Sequence, residues 1–168
     1  MARTYGLIGY PLGHSFSKGY FTDFFQQEGI DAEYKNFEIP QIDDLRQVLA
    51  EEPHLQGFNV TIPYKKDVIP YLDEIDENAK KIGAVNTIVN KNGKLFGYNT
   101  DFFGMKALIL KLGLDFSGKK VMILGTGGTS NTAVAVAEAL GANQIMVVSR
   151  SAKNGIITYE EAYRNAPG

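Results

Sequence analysis

Residues 121–130 read Val-Met-Ile-Leu-Gly-Thr-Gly-Gly-Thr-Ser, four apolar residues followed directly by a glycine-rich turn. Four consecutive apolar residues are typical of a strand that is covered on both faces in a parallel sheet. After the turn, apolar residues recur at helical spacing from Ala133 to Leu140, and a second apolar run follows at 145–148. This order predicts one βαβ unit, and with it an α/β fold.

Strand-like and helix-like segments also alternate through the first hundred residues. Alternating apolar residues predict strands at 33–39 and 58–62, and short apolar segments predict strands at 5–8, 84–89 and 95–98. Apolar residues at helical spacing predict helices at 17–27, 43–51 and 101–112, and a charged surface helix is predicted at 74–82. Asn92-Gly93, between the last two strands, is a strong signal for a hairpin turn.

The composition argues against several classes of function. The 168 residues contain no cysteine, which excludes disulfides and thiolate metal sites, and neither of the two histidines lies in a His/carboxylate cluster at ligand spacing. The net charge is −2 without a basic block, so we expect no nucleic-acid partner. The first residues lack the apolar stretch of a signal peptide, and no apolar run reaches the length of a membrane span. We therefore expect a cytoplasmic protein without membrane contact.

The glycine turn predicts an anion-binding site. Glycines between a strand and a helix let backbone N–H groups approach a diphosphate at the amino end of the helix. Ser130 stands at the third position of the motif, where glycine or alanine is usual. A tight turn without a ligand therefore stays an alternative.

The end of the second strand indicates which dinucleotide would bind. Enzymes that use NAD usually carry a carboxylate there, which accepts from the ribose 2′-hydroxyl. This chain has Ser149-Arg150-Ser151 instead, and a guanidinium suits a 2′-phosphate. We predict NADP(H) as the cofactor, with a basic surface turn as the alternative. The predicted cofactor-binding residues here are Gly125, Thr126, Gly127, Gly128, Thr129, Ser149, Arg150, Ser151 and Lys153.

Polar side chains are dense at four further points, all near predicted strand ends or helix starts. They are Ser15 and Ser17, then Asn59, Thr61 and Lys65, then Asn86 within a predicted strand, and Asp101 at a helix start. Simpler interpretations exist: Lys65 as a solvated lysine, Ser17 as a helix cap, and Asp101 as a charge that favours the helix dipole. Together these groups suit a small polyhydroxylated acid.

Five segments resemble the shikimate dehydrogenase family, the NADPH-dependent oxidoreductases of chorismate and aromatic amino acid biosynthesis. They are Gly-Tyr-Pro-Leu-Gly-His-Ser-Phe-Ser at 9–17, Asn-Val-Thr-Ile-Pro-Tyr-Lys at 59–65, Gly-Ala-Val-Asn-Thr at 83–87, Tyr-Asn-Thr-Asp at 98–101, and the glycine turn followed by Ser-Arg-Ser at 149–151. They occur in the family's order and spacing. The resemblance implies the reversible reduction of 3-dehydroshikimate to shikimate.

The resemblance also implies a role for each polar residue. Ser15 and Ser17 would bind the substrate carboxylate. The ring hydroxyls would be bound by Thr61, Asn86 and Asp101, with Asn59 nearby. Lys65 would be catalytic and paired with Asp101. Glu77 would lie near the nicotinamide.

The implied architecture is a three-layer α/β substrate-binding domain followed by an incomplete Rossmann-like NADP-binding domain. We expect the substrate-binding domain at 1–100, a connecting helix and joint at 101–118, and the partial nucleotide domain at 119–168. Family members continue for roughly a hundred residues more, so we expect exposed strand edges and apolar faces, which a homodimer would cover. Two alternatives are a fragment that binds shikimate weakly without turnover, and a dehydrogenase of quinate or an amino analogue.

Overall fold

A computed structural model of the protein describes residues 3–13, 15–127 and 129–165. The chain divides into two compact units, Met1–Asn99 and Thr100–Gly168. The functional division at 1–100, 101–118 and 119–168 stays a prediction.

The first unit is built on a six-stranded mixed sheet. Its strands and α-helices, in chain order, are β1 (Arg3–Gly9), α1 (Ser17–Gln27), β2 (Ala32–Glu38), α2 (Leu45–Glu51), β3 (Leu55–Val60), β4 (Glu74–Ile75), α3 (Glu77–Ile82), β5 (Thr87–Lys91) and β6 (Lys94–Tyr98). The strands lie in the order β2-β1-β3-β5-β6-β4. β1 runs parallel to β2 and β3, whereas β5 runs antiparallel to β3 and β6.

The strand register brings several chain segments to one edge of this sheet. Ile8 near the end of β1 lies opposite Val60 at the end of β3. Thr87 at the start of β5 lies opposite Asn59 of β3 and Tyr98 at the end of β6. The loops that adjoin these residues therefore meet at one edge, and they carry most of the predicted substrate-binding residues.

One face of the sheet holds the larger buried core. Ile8, Phe58 and Val60 contribute to it from the strands, Leu45 contributes from α2, and Ala79 from α3. Phe58 and Val60 are two residues apart in β3, so their side chains share a face, as the alternating pattern predicted.

The opposite face is covered in part by α1. Leu7 and Tyr34 are buried there, and Phe21 and Phe25 of α1 pack against them. Alternation along β3 turns Asn59 to the same face. Helices thus lie on both faces of the sheet, and the predicted three-layer α/β arrangement is confirmed.

The prediction of a strand at 58–62 was wrong at its end. β3 stops at Val60, and Ile62, which the alternating pattern made a buried position, is 74% exposed. The Thr61 amide still donates to the Ile8 carbonyl oxygen at 2.9 Å, but the Thr61 carbonyl oxygen accepts from the Tyr64 amide at 3.0 Å. Pro63 has no N–H to donate to a ladder, so the chain turns here.

The predicted helix at 74–82 is wrong in its first third. Glu74–Ile75 forms β4 beside β6, and α3 begins only at Glu77. Asp76 caps that helix, because its carboxylate accepts from the Asn78 amide at 3.0 Å. The helix is also not purely a surface element, since Ala79 and Ile82 are buried.

The other local predictions for this unit fare better. β1, β2, α1 and β6 are confirmed to within two residues of the expected bounds. The hairpin turn is confirmed as well, with positive φ angles of 54° at Asn92 and 84° at Gly93, as a type I′ turn requires. The predicted strand at 84–89 begins later, at Thr87, so Asn86 lies just outside it rather than within it.

The second unit contains the predicted βαβ unit. Its elements are α4 (Thr100–Lys111), β7 (Lys120–Leu124), α5 (Ser130–Ala139), β8 (Gln144–Ser149), β9 (Ile157–Thr158) and α6 (Tyr159–Asn165). The three strands form a parallel sheet in the order β7-β8-β9. The Rossmann-like arrangement predicted from the glycine turn is present.

Burial in this sheet departs from the prediction that both strands are covered on both faces. Val148, in the central strand, is fully buried, but Leu124 at the end of β7 is 66% exposed. β7 has a single neighbour in the sheet, which leaves it the less covered strand. Exposed leucines on α4, Leu108 and Leu110, agree with the expectation of exposed apolar faces. The homodimer stays a prediction.

Across the described residues, no helix has the length and apolar character needed to cross a bilayer.

Candidate active site

The loop before β5 carries Asn86 and is anchored through its backbone. The Val60 amide donates to the Asn86 carbonyl oxygen at 2.8 Å, and the Asn86 amide donates to the Tyr98 carbonyl oxygen at 3.0 Å. These bonds tie the loop to the ends of β3 and β6. Asn86 is only 7% exposed, so its side chain has a fixed position at the edge of the sheet.

Asn99 supports the same loop from the end of β6. Its Nδ2 donates to the Ala84 carbonyl oxygen at 3.0 Å, and only 1% of the residue is exposed. A buried polar group that loses its hydrogen bond costs roughly 1–3 kcal/mol. Asn99 therefore stabilises the position of Asn86, although we predicted no role for it from the sequence.

Lys65 lies in the turn after β3, and its backbone is bonded to the loop that precedes β5. The Lys65 carbonyl oxygen accepts from the Val85 amide at 2.7 Å. Lys65 is half-buried beside the loop that carries Asn86, rather than fully solvated.

One cavity on the α1 face brings three predicted substrate-binding residues together. Ser15, Ser17 and Thr61 line it, and it has a volume of about 430 Å³. Leu7 and Leu12 are also among its lining residues. Hydroxyls beside an apolar wall suit a small ring acid, and the volume is sufficient for one. His14, which belongs to the same sequence motif, lies outside the described residues.

Ser17 does not cap α1, so that interpretation was wrong. The helix begins at Ser17 itself, its N-cap position is Phe16, and no side chain caps it. The Ser17 side chain hydrogen-bonds with Tyr34 instead.

A chain of hydrogen bonds runs from Tyr34 to Asn86 across three strands. The Tyr34 hydroxyl donates to Asn59 Oδ1 at 2.8 Å. Asn59 Nδ2 donates to Thr87 Oγ1 at 3.3 Å, and the Thr87 hydroxyl donates to Asn86 Oδ1 at 3.0 Å. The structure thus joins Asn59 and Asn86, and it adds Tyr34 and Thr87. Thr87 closes the motif at 83–87, but Tyr34 was visible only as an inward position of β2.

Burial keeps the Tyr34 phenol protonated. Tyr34 is 5% exposed, and burial raises its pKa to about 12, an effect that the hydrogen bond with Ser17 partly offsets. The hydroxyl therefore holds one proton at all ordinary pH values.

The glycine turn in the second unit has the geometry of an anion site. Gly125 has a φ angle of 112°, which favours glycine, and its amide donates to the Val148 carbonyl oxygen at 2.8 Å. Gly125, Gly127 and Thr129 line a cavity of about 280 Å³. The ten-residue α5 begins directly after the turn, at Ser130. Free N–H groups at the start of a helix favour a diphosphate.

The predicted 2′-phosphate residues follow the neighbouring strand. β8 ends at Ser149, and Arg150, Ser151 and Lys153 are exposed beyond it. Since β7 and β8 are adjacent and parallel, the glycine turn and Arg150 leave the same edge of this sheet. Both halves of the predicted donor set for NADP thus lie at one edge of the sheet. Thr126 belongs to the turn, and Gly128 lies outside the described residues.

Two predicted roles are not brought together with the rest. Lys65 belongs to the first unit and Asp101, the second residue of α4, to the second, so their pairing stays a prediction. The Glu77 side chain is 88% exposed and bound to Lys80 at 2.8 Å, and its role near the nicotinamide also stays a prediction.

Comparison with known proteins shows which family the first unit resembles. Residues 7–88, which include the cavity, Lys65 and Asn86, match the family model of the shikimate dehydrogenase substrate binding domain. Residues 7–88 are therefore a substrate-binding domain of the shikimate dehydrogenase family. A relative named shikimate dehydrogenase (NADP(+)) from Halothermothrix orenii is 45% identical over 151 residues, which cover 88% of this chain and 52% of the relative. The chain thus spans about half the length of the curated relatives that it matches.

Solved structures of the shikimate dehydrogenase family share the fold. Shikimate dehydrogenase 1 from Peptoclostridium difficile is 37% identical with a TM-score of 0.80, and the match covers 95% of this chain and 62% of that one. A chorismate mutase/shikimate 5-dehydrogenase fusion protein from Clostridium acetobutylicum is 33% identical with a TM-score of 0.88, covering 98% and 64%.

Proposed function

We propose that the protein catalyses the NADP-dependent interconversion of 3-dehydroshikimate and shikimate. The observation that carries the proposal is the cavity lined by Ser15, Ser17 and Thr61. Its hydroxyls, together with the hydrogen-bonded amides of Asn59 and Asn86, can bind a small acid that carries several ring hydroxyls. The names of the matched relatives support shikimate as that acid. The lack of cysteine agrees with a cytoplasmic site of action, which is part of the proposal.

Substrate binding is assigned by the chemistry of each group. The hydroxyls of Ser15 and Ser17 bind the carboxylate, because a hydroxyl can donate to an anionic oxygen. Thr61, Asn59 and Asn86 bind ring hydroxyls, for which an amide offers both donors and an acceptor. The apolar side of the cavity packs against the ring carbons.

Lys65 is proposed as the catalytic residue, with Asp101 as its partner. When the ketone is reduced, its carbonyl carbon accepts hydride. The electrons of the C=O π bond move to the oxygen, which then takes up a proton. The Lys65 ammonium stabilises the developing charge and donates that proton, which leaves a neutral amine on Lys65. Asp101 orients a neighbouring ring hydroxyl, and the Lys65 amine takes up a proton from solvent to restore the ammonium.

NADPH would supply the hydride. Gly127 and Thr129 would hold its diphosphate through backbone N–H groups, and Arg150 with Ser151 would hold the 2′-phosphate. Gly125 would shape the turn, since its own N–H donates to the Val148 carbonyl oxygen. The cavity at the turn and the absence of a carboxylate in 149–153 support this fit.

The test compares Lys65→Ala with Lys66→Ala, a matched change at the next, exposed lysine. Shikimate binding is measured by calorimetry, and turnover by the reduction of NADP+ with shikimate, with quinate and NAD+ as comparators. We expect Lys65→Ala to lose turnover and keep shikimate affinity, and Lys66→Ala to change neither. An equal loss of binding in Lys65→Ala would make Lys65 a binding residue only.

The same assay separates the alternatives. If the unaltered chain binds shikimate but reduces no NADP+, the chain is a binding unit without turnover. Faster turnover of quinate than of shikimate would identify quinate as the substrate. A preference for NAD+ over NADP+ would contradict the role of Arg150.

A further inference from the structure

Tyr34 stands between the two groups of proposed substrate-binding residues. Its hydroxyl donates to Asn59 Oδ1 at 2.8 Å and hydrogen-bonds with Ser17, which lines the cavity. Its ring stacks on Phe21 of α1, with ring centroids 4.7 Å apart and an angle of 14° between the planes. The ring is thus fixed by packing while its single polar atom contacts both groups.

The direction of these hydrogen bonds follows from proton counting. A phenol has one proton, and Tyr34 gives it to Asn59 Oδ1. Its oxygen can then only accept from Ser17, so Ser17 donates. Because Asn59 uses Oδ1 toward Tyr34, its Nδ2 faces Thr87 at 3.3 Å.

Thr87 carries the same direction onward. Its oxygen accepts from Asn59, and its proton goes to Asn86 Oδ1 at 3.0 Å. The amide oxygen of Asn86 is therefore turned toward Thr87, and its amide nitrogen is turned away from it. A flip of the Asn59 amide would break this order at two bonds at once.

We propose that Tyr34 is a positioning residue that sets the rotamer of Ser17 and the amide orientations of Asn59 and Asn86 for the ring acid. This inference rests on the proposed function for the identity of the ligand. Tyr34 acts through the other residues, since its hydroxyl is engaged on both sides. Buried polar chains of this kind hold a single arrangement only when every member keeps its partner.

Tyr34→Phe removes the shared hydroxyl and keeps the ring that packs on Phe21. Asn59 then loses the donor that selects its orientation, and Ser17 loses its acceptor. We expect the affinity for shikimate to fall three- to tenfold, roughly the weight of one neutral hydrogen bond. The matched control is Tyr64→Phe, which also removes a buried hydroxyl, bonded at 2.7 Å to the Ile39 carbonyl oxygen. That bond leads away from Ser17 and Asn59, so the control should bind shikimate as the unaltered chain does.

Calorimetry with shikimate is run on the unaltered chain, Tyr34→Phe, Asn59→Ala, the double variant and Tyr64→Phe. Because Tyr34 acts in part through Asn59, the double variant should lose less affinity than the sum of the two single losses. Independent losses that add in the double variant would overturn the proposal. So would an equal loss in Tyr64→Phe, which would point to general destabilisation.

A second measurement needs no ligand. The side-chain amide NMR signals of Asn59 and Asn86 should shift in Tyr34→Phe and stay in place in Tyr64→Phe. If the unaltered chain binds no shikimate, the proposed function fails, and these signals still test Tyr34. Unmoved signals in Tyr34→Phe would overturn the inference.

Discussion

The change Gly9→Ala tests how closely the end of β1 approaches the site. A Cβ atom on Gly9 would lie 2.4 Å from Thr61 Cγ2 and 2.8 Å from Leu12 Cδ2. Carbon atoms pack at about 3.5–4.0 Å, so the Thr61 methyl must move by about 1 Å or rotate about its Cα–Cβ bond. The Ile62 carbonyl oxygen, 3.1 Å from the same Cβ, limits how far the backbone can yield.

The magnitude follows from this crowding. Overpacking of a close-packed site costs about 1–3 kcal/mol, so we expect the free energy of unfolding to fall by that amount. Rotation of Thr61 also turns its hydroxyl out of the cavity that it lines. Loss of one neutral hydrogen bond to the ligand would lower the affinity for shikimate by roughly three- to tenfold.

Urea denaturation and calorimetry with shikimate measure the two effects. Gly19→Ala in α1 is the control, because nothing lies within 4 Å of a Cβ at that position. Alanine is favoured over glycine in a helix by up to about 1 kcal/mol, so the control should gain stability and keep its affinity. Gly9→Ala with unchanged stability and unchanged affinity would refute the contact between the end of β1 and Thr61.

Three further predictions concern the core, the buried phenol and the cofactor. Leu45→Ala should lower the free energy of unfolding by about 2–5 kcal/mol, because Leu45 is completely buried; a loss under about 1 kcal/mol in urea denaturation would contradict this. The pKa of Tyr34 rises from 10.0 to about 12 on folding. Its contribution to the free energy of unfolding is therefore complete below pH 10 and is lost as the pH rises through 12. Urea denaturation between pH 9 and 12 should therefore show a steeper fall for the unaltered chain than for Tyr34→Phe, and equal slopes would exclude the effect. Arg150→Ala should weaken the binding of NADP+ in calorimetry and leave that of NAD+ unchanged, whereas equal losses would remove the 2′-phosphate role.

Much of the fold could be predicted from local patterns. The short apolar segment of β1, the alternation in β2, the helical spacing in α1 and the Asn92-Gly93 turn each depend on residues close together in the chain. The βαβ unit was predictable for the same reason, since an apolar run, a glycine turn and a helical pattern follow one another directly.

The errors occurred where backbone hydrogen bonds that the local pattern does not indicate determined the structure. Residues 74–75 lie in a stretch with helical spacing. They form β4 instead, because their backbone pairs with the edge of β6. Ile62 continued an alternating pattern, but the turn at Pro63 and the Thr61–Tyr64 hydrogen bond ended the strand.

The candidate site shows the same division. Ser15, Ser17, Thr61, Asn86 and Lys65 were predicted because they stand in segments that resemble one family. That resemblance implied the chemical role of each residue, but it did not predict which residues contact one another.

By itself the sequence determined the kind of most elements and the kind of chemical group at each point of the site. Both depend on spacing within a segment and on residue type. Only the tertiary structure decided that Tyr34, 25 residues before Asn59, supplies its donor, and that Thr87 joins Asn59 to Asn86. Those partners come from strand order and register, and a shift of one residue would turn these side chains to the opposite face of the sheet.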